Sequence, residues 1–245
     1  DAMGVKYSAD ETFFDTWNPI MAYVLGYWYA DGSLEYTPSM RGKYIRVTST
    51  DQDTIHKIRS YLKSDHTVVA SARGGQRKVL YLLRIGSNHL YDTMERLGLY
   101  PNKSLTMKFP DIPSQFLADF VRGYFDGDGC VYLETARGKV QARIIKRLNT
   151  IFTSGSRKFL FALDAALTER LGLTGHIYQG RKAFQLRYFT RDSTKIFVFL
   201  YRGCGGNTYL TRKFEIFLKY FKMFPRKAGN AVESIRRCLE GAVAK

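Results

Sequence analysis

The sequence predicts an α+β fold of two pseudo-symmetric αββαββα repeats, packed through the first helix of each and carrying antiparallel sheets. Three observations point there. A glycine-bearing apolar run that ends in Asp-Gly occurs twice, as "NPIMAYVLGYWYADGSLEY" and "PSQFLADFVRGYFDGDGCVYL". Their endings align Gly26 with Gly123, Tyr27 with Tyr124, Asp31 with Asp128 and Gly32 with Gly129, at a spacing the size of a small domain. The same order of strand-like and helix-like segments follows each run.

In the first copy Asn18 is a good helix N-cap and Pro19 suits the first helical position. A short strand (33–36) and a turn through "TPSMRGK" lead to the alternating strand "KYIRVTST". A helix follows in "DQDTIHKIRSYLKS", opened by Asp51 or Asp53. "HTVVASARGGQRKVLYLLRIGS" reads as a hairpin turning at Gly74-Gly75, and "SNHLYDTMERLG" as a helix capped by Ser87 and ended by Gly98. "YPNKSLTMKFPDIP", with three prolines, is the natural connector. In the second copy Ser114 is the candidate N-cap. "CVYLETAR" and "KVQARIIKRLNTIFTS" are strand-like, and "SRKFLFALDAALTERLG" is a helix ended by Gly172. "GHIYQGRKAFQLRYFT" is a hairpin and "DSTKIFVFLY" a helix. "NTYLTRKFEIFLKYFKMF" adds one more helix, and the basic stretch after Pro225 reads as a peripheral tail. The predicted organisation is thus a repeat over 5–99, a linker over 100–113, a second repeat over 114–224 and a tail over 225–245. The opening "DAMG" is read as a trimmed start outside the fold, with no secretory signal.

With 45% hydrophobic residues the chain can bury a core. Its 38 Lys and Arg against 22 Asp and Glu give a net charge of +16, spread along the sequence. Such a balance in a folded chain rich in aromatics suggests a polyanion, most often nucleic acid. Cys130, Cys204 and Cys238 make no CxxC pair, which fits a reducing, intracellular setting, bacterial cytoplasm or organelle matrix alike. The four histidines are far apart, so no structural zinc is expected. No apolar run nears the ~20 residues that cross a bilayer, so no membrane partner is expected. "RGCGGN" lacks the Lys-Ser/Thr of a phosphate loop and reads as a turn.

Glycine inside a helix costs about 1 kcal/mol against alanine and is kept where another backbone comes close. Gly26 and Gly123 therefore suggest that the two runs pack on each other, which would bring Asp31 and Asp128 together. Carboxylates at helix C-termini are opposed by the helix dipole. A divalent cation would offset that repulsion, and hard oxygen ligands suggest Mg²⁺, with Mn²⁺ as a substitute.

"VLGYWYADG" (24–32) and "VRGYFDGDG" (121–129) resemble the two motifs of LAGLIDADG homing endonucleases in their single-chain, two-repeat form, and the flanking pattern extends the resemblance over nearly the whole chain. Tyr29 stands where the motif often carries its first acid, while Asp126 keeps it in the second copy as a helix-end or polar-contact residue. The resemblance implies a monomer with internal pseudo-twofold symmetry whose sheets form a DNA-binding saddle. It implies metal-dependent hydrolysis of both strands of a duplex, with Asp31 and Asp128 as ligands and the carbonyls of Ala30 and Gly127 completing coordination. Lys103 and Lys213 match the family's basic residues near the metal centre, and Arg46 and Asn149 are further candidates for positioning water.

DNA recognition is expected from strand residues that alternate outward. In the first half these are Ser33, Glu35, Arg41, Lys43, Arg73, Arg77 and Arg84. In the second they are Tyr132, Glu134, Arg137, Lys139, Arg143, Arg181, Lys182, Gln185 and Arg187. Such side chains suit base edges in the major groove, and some will meet only phosphate. A strand of eight residues spans ~26 Å, so each half would follow ~8 base pairs. Because the halves differ in sequence, the target is expected to be asymmetric. The alternative reading is an RNA-binding intron maturase on the same fold. A transcription regulator would want an added helix-turn-helix, an intein nuclease would want flanking splicing blocks, and a basic structural module leaves the paired Asp-Gly helix ends unexplained.

Overall fold

The structure is a computed structural model that describes residues 7–37, 42–72, 79–137, 143–205 and 208–243; for residues 137, 143, 145, 146, 228 and 240–243 only the backbone is described. Arg41, Arg73, Arg77, Lys139 and the Gly74-Gly75 turn lie outside the described residues.

Helix α1 (Pro19–Asp31) begins where Asn18 accepts a hydrogen bond from the Met21 amide at 2.9 Å and Pro19 fills the first position. Every residue from Met21 to Tyr29 is buried. A helix apolar on all sides belongs inside a core, which is why this stretch shows no single apolar stripe. Then come β1 (Gly32–Thr37), β2 (Gly42–Ser49), α2 (Gln52–Tyr61), β3 (Val69–Ser71), β4 (Leu80–Gly86) and α3 (Asn88–Arg96). Asp51, rather than Asp53, caps α2, and Ser87 caps α3. The second half repeats the order with α4 (Leu117–Asp128), β5 (Gly129–Arg137), β6 (Arg143–Ser154), α5 (Arg157–Leu171), β7 (His176–Gln179), β8 (Phe184–Tyr188) and α6 (Thr190–Tyr201). Ser156 caps α5, and Gly172 ends it in the left-handed conformation (φ 61°, ψ 55°). Helices α7 (Thr211–Met223) and α8 (Pro225–Val243) follow.

Each half builds an antiparallel four-stranded sheet of the same topology, β1-β2-β4-β3 and β5-β6-β8-β7. Alternation places Leu34, Ile45, Val47, Leu83 and Ile85 in the core of the first half, and Val131, Leu148, Phe152, Leu186 and Tyr188 in that of the second.

Three boundaries differ from the sequence expectation. Ser114 does not cap α4; it opens a 3-10 turn (Ser114–Phe116) behind Pro113, with no side-chain cap bond. The stretch after Pro225 is no loose tail. Val232, Ile235 and Leu239 are buried at helical spacing as α8 packs with α7 and α6, and Gly229 (φ 61°, ψ 177°) breaks the helix.

The third concerns the linker. The chain forms two compact units, Asp1–Lys103 with Pro110–Gly123, and Ser104–Phe109 with Tyr124–Lys245. The expected linker is thus divided between them, and so is α4. In the first unit, Trp17 stacks on Phe116 at 6.1 Å and Phe120 meets Tyr29 edge-on at 5.2 Å. A Cβ on Gly123 would strike the carbonyl oxygen of Tyr23, so this glycine lets the α4 backbone approach that of α1, as its place in the motif suggested. In the second unit, Tyr124 packs on Phe159 at 4.6 Å, and the Met107 carbonyl accepts a hydrogen bond from Ser156 Oγ at 2.7 Å.

Candidate functional site

Both motif helices end on their aspartate, and the next residue already belongs to a strand. Backbone conformation does not force glycine at that step, because Gly32 has ordinary extended angles (φ −96°, ψ 160°). Space does. A Cβ on Gly32 would collide with the indole and carbonyl of Trp28, and one on Gly129 with the ring and carbonyl of Phe125. In each unit the strand leaves through a gap closed by the aromatic residue four positions earlier. The Asp-Gly pair is therefore a steric requirement of the helix-to-strand turn, and it leaves the Asp31 and Asp128 carboxylates at a half-buried helix end.

Beneath each end lies a buried lysine. Lys103 opens a 3-10 turn (Lys103–Leu105), is 5% exposed, and donates from Nζ to the Gly32 carbonyl. Lys213, in the first turn of α7, is 3% exposed. Its Nζ donates to the carbonyls of Phe125, Asp126 (2.9 Å) and Gly129 (2.6 Å), and lies 4.9 Å from the Phe125 ring centre. An ammonium at a helix C-terminus satisfies carbonyls that have no helical donor and offsets the dipole's negative end. Part of the charge compensation that the sequence assigned to a metal is thus supplied by the chain. Each lysine bonds the carbonyl of the glycine that follows a motif aspartate.

Ala30 and Gly127, like the acids that follow them, are half-buried. A carboxylate and a neighbouring carbonyl at each motif form a hard oxygen donor set that fits a divalent cation. Among the described residues no group of three or more His, Cys, Asp or Glu side chains is placed to hold a metal ion by itself. Tyr29, in the place of the motif's other acid, donates to the Leu97 carbonyl at 2.7 Å, and burial, with Tyr100 nearby, pushes its hydroxyl pKa far up. Asp126 is buried.

On the first sheet's open face, Ser33, Glu35 and Arg84 share the side that alternation predicted, and Arg46 joins them. Glu35 accepts from Arg46 Nη1 at 2.9 Å and from Arg84 Nε at 2.8 Å, and the Arg84 guanidinium lies 3.5 Å from the Tyr44 ring centre. Burial pushes the Glu35 carboxyl up, but the two arginine hydrogen bonds outweigh it and hold its pKa below the ordinary value. Lys43 does not share this face. It has the parity of Ile45 and Val47 and is ion-paired with Asp92 of α3.

On the second sheet, Tyr132, Glu134, Asn149, Gln185 and Arg187 share the open face. Arg187 donates from Nε (3.1 Å) and Nη2 (2.6 Å) to Gln185 Oε1 and lies 4.9 Å from the Tyr178 ring centre. Asn149 donates to Glu134 at 3.4 Å. Arg46 and Asn149 are not equivalent: Arg46 pairs with Ser33, next to the motif glycine, whereas Asn149 pairs with Tyr132, two residues further along. Arg137 and Arg143 oppose each other at the far end of the ladder, beyond a bulge at Glu134/Thr135. Arg181 and Lys182 are exposed in the turn between β7 and β8 rather than on a strand. Sequence reasoning missed Arg147, exposed opposite Glu134 and 5.4 Å from the Phe189 ring centre; it stands two residues before Asn149, so alternation was the available signal.

The family model of the LAGLIDADG-like domain matches this chain twice, over residues 18–98 and 115–200. The chain belongs to the LAGLIDADG family. Its fold is that of LAGLIDADG meganucleases. I-AabMI, solved with uncleaved DNA, matches with a TM-score of 0.56 at 15% identity over 92% of this chain and 99% of its own. The homing endonuclease I-WcaI, bound to its DNA recognition sequence, matches with a TM-score of 0.56 at 9% identity over 83% and 89%. I-SmaMI, solved with an uncleaved DNA target and calcium ions, gives 0.56 at 12% over 92% and 99%. At these identities the likeness is one of fold. By sequence, this LAGLIDADG chain is 26% identical over 175 residues to a probable translation initiation factor IF-2 of Methanocaldococcus jannaschii; the match takes in 69% of the chain and 13% of that much longer relative. No helix among the described residues is long and apolar enough to cross a membrane.

Proposed function

We propose that this LAGLIDADG protein is a site-specific homing endonuclease that hydrolyses both strands of a long, asymmetric DNA duplex, acting as a monomer with Mg²⁺ or Mn²⁺. The observation that carries this reading is the twice-built helix end: a half-buried Asp, a Gly that only a bare backbone can fill, and a buried Lys on that Gly's carbonyl. Duplicated chemistry suits a substrate with two strands. Solved relatives of the same fold, I-AabMI and I-SmaMI among them, hold DNA, and I-SmaMI does so with calcium, a hard divalent ion like those proposed here. The intron-maturase alternative is not favoured by these likenesses.

In this reading Asp31 and Asp128, with the carbonyls of Ala30 and Gly127, would hold the divalent ions. Bound there, a divalent ion supplies Lewis-acid polarisation of the phosphate and a more acidic water. Lys103 and Lys213 fix the helix ends and place positive charge beside the phosphate as its negative charge grows. The sheet faces bind duplex DNA, and the +16 charge makes that binding fall steeply with salt. Incubating the protein with a randomised duplex library and Mg²⁺, then sequencing cut ends, tests the proposal. A single recurrent cut site, lost on chelation, is expected. Uncut DNA, or cutting that survives Asp31→Asn and Asp128→Asn together, would overturn it.

A further inference from the structure

We infer that Arg84 and Arg187 are matched guanine readers, one in each half of the DNA target, and that Glu35 and Gln185 are the positioning residues that hold them flat. This rests on the proposed function and specifies what its sheet faces recognise. Strand register makes the two arginines equivalent. Arg84 pairs with Arg46, which pairs with Ser33, the first residue after Gly32. Arg187 pairs with Ile151, which pairs with Cys130, the first residue after Gly129. Each arginine thus stands in the row beside its own motif helix end.

Each guanidinium is braced in the same two ways. A tyrosine ring covers one face, Tyr44 for Arg84 and Tyr178 for Arg187. An acceptor on the same sheet takes the Nε edge, Glu35 for Arg84 and Gln185 for Arg187. For Arg84, no acceptor among the described residues meets the Nη groups, and for Arg187 none meets Nη1. Fixed in plane through Nε, and in Arg187 through Nη2 as well, each group keeps terminal N–H donors for whatever lies over the sheet. Guanine is the base whose major-groove edge offers two adjacent acceptors, O6 and N7, to paired N–H donors. A phosphate contact needs no such bracing; a flexible lysine serves it as a point charge.

The two acceptors differ for a physical reason. Arg46 beside Arg84 sets two like charges on neighbouring strands, which is unfavourable unless a carboxylate stands between them. Glu35 takes one bond from each. In the second sheet the place of Arg46 is held by Ile151, so a single cation needs only the neutral amide of Gln185.

The test is selection of bound duplexes from a randomised library by the full-length protein and by Arg84→Lys, Arg187→Lys and Glu35→Gln, with melting temperatures measured alongside. The wild type is expected to enrich one site with a strongly preferred guanine in each half. Arg84→Lys keeps the charge but loses the planar fork, and should reduce the preference about tenfold or more at one of these guanines only. Arg187→Lys should do the same at the other. Glu35→Gln should weaken the Arg84-dependent guanine and leave the second unchanged. A defined site with no guanine that responds to either arginine overturns this inference while leaving the nuclease reading standing. Enrichment of no site overturns both. A Glu35→Gln protein that melts lower but keeps the full base preference makes Glu35 a structural residue and removes its assigned role.

Discussion

Lys103 and Lys213 each donate to the carbonyl of their own motif glycine, yet they come from different elements, a 3-10 turn of the connector and the first turn of α7. Lys213 reaches the Phe125 and Asp126 carbonyls of the last helical turn as well. The open sheet faces diverge further, with an Arg-Glu-Arg cluster on one and an Arg-Gln pair on the other. Aspartate, glycine and buried lysine recur at the helix end, where both halves would meet the same phosphodiester chemistry. Side chains drift on the faces, where each half would meet different bases. A duplicated protein can specialise its recognition only if the part that does chemistry stays constant.

The largest expected effect tests that constancy. Asp31→Asn and Asp128→Asn should each abolish double-strand cleavage while leaving duplex binding largely intact, as measured by a cleavage assay beside a binding titration. If one variant still cut both strands, the halves would be chemically unequal. Next in size are the effects of the two buried lysines. A stranded buried polar group costs about 1–3 kcal/mol. Lys103→Met and Lys213→Met, each of which strands at least the carbonyl of a motif glycine, should therefore each destabilise by about 1–3 kcal/mol or more. Urea unfolding at neutral pH reads both, and a variant as stable as the wild type would show that its lysine does not support the helix end. Gly32→Ala and Gly129→Ala crowd the same kind of aromatic gap and should each cost about 1–3 kcal/mol, with similar shifts in thermal melting.

The smallest effect separates the sheet faces by pH. The folded-state pKa of Glu35 is depressed by its arginines, so its stabilisation is complete above the unfolded value and fades as pH falls through the lowered folded value. These side chains are about a third exposed, so the gain is modest. Glu35→Gln should flatten the acid limb of the stability profile below the ordinary carboxylate range. Gln185→Ala should leave that limb's slope unchanged, because an amide does not titrate.

Much of this was legible in the sequence because it is local chemistry. Asn18, Asp51, Ser87 and Ser156 cap the helices they precede, and strand alternation gave the open faces. Gly123 was readable as a close approach of backbones through its place in a repeat. What escaped depends on partners far along the chain. Lys43 reads as one more exposed strand lysine until Asp92 is found beneath it, although counting by twos from Ile45 would have assigned its face. That Lys103 is buried follows from the path of the connector, which no local pattern encodes. Helix α8 was hidden by its proline and its basic residues, while Val232, Ile235 and Leu239 carried the stripe that reveals it.

The sharing of α4 between the two units bears on how the molecule can be recut. Severing the chain at the proline-rich connector would strip the first unit of Phe116, Phe120 and Gly123, the groups that close over Trp17, Tyr29 and Tyr23. A chimaera that exchanges halves between relatives therefore has its workable junction inside a helix, just past Gly123, and the donor must bring its own first two turns of that helix along with its sheet.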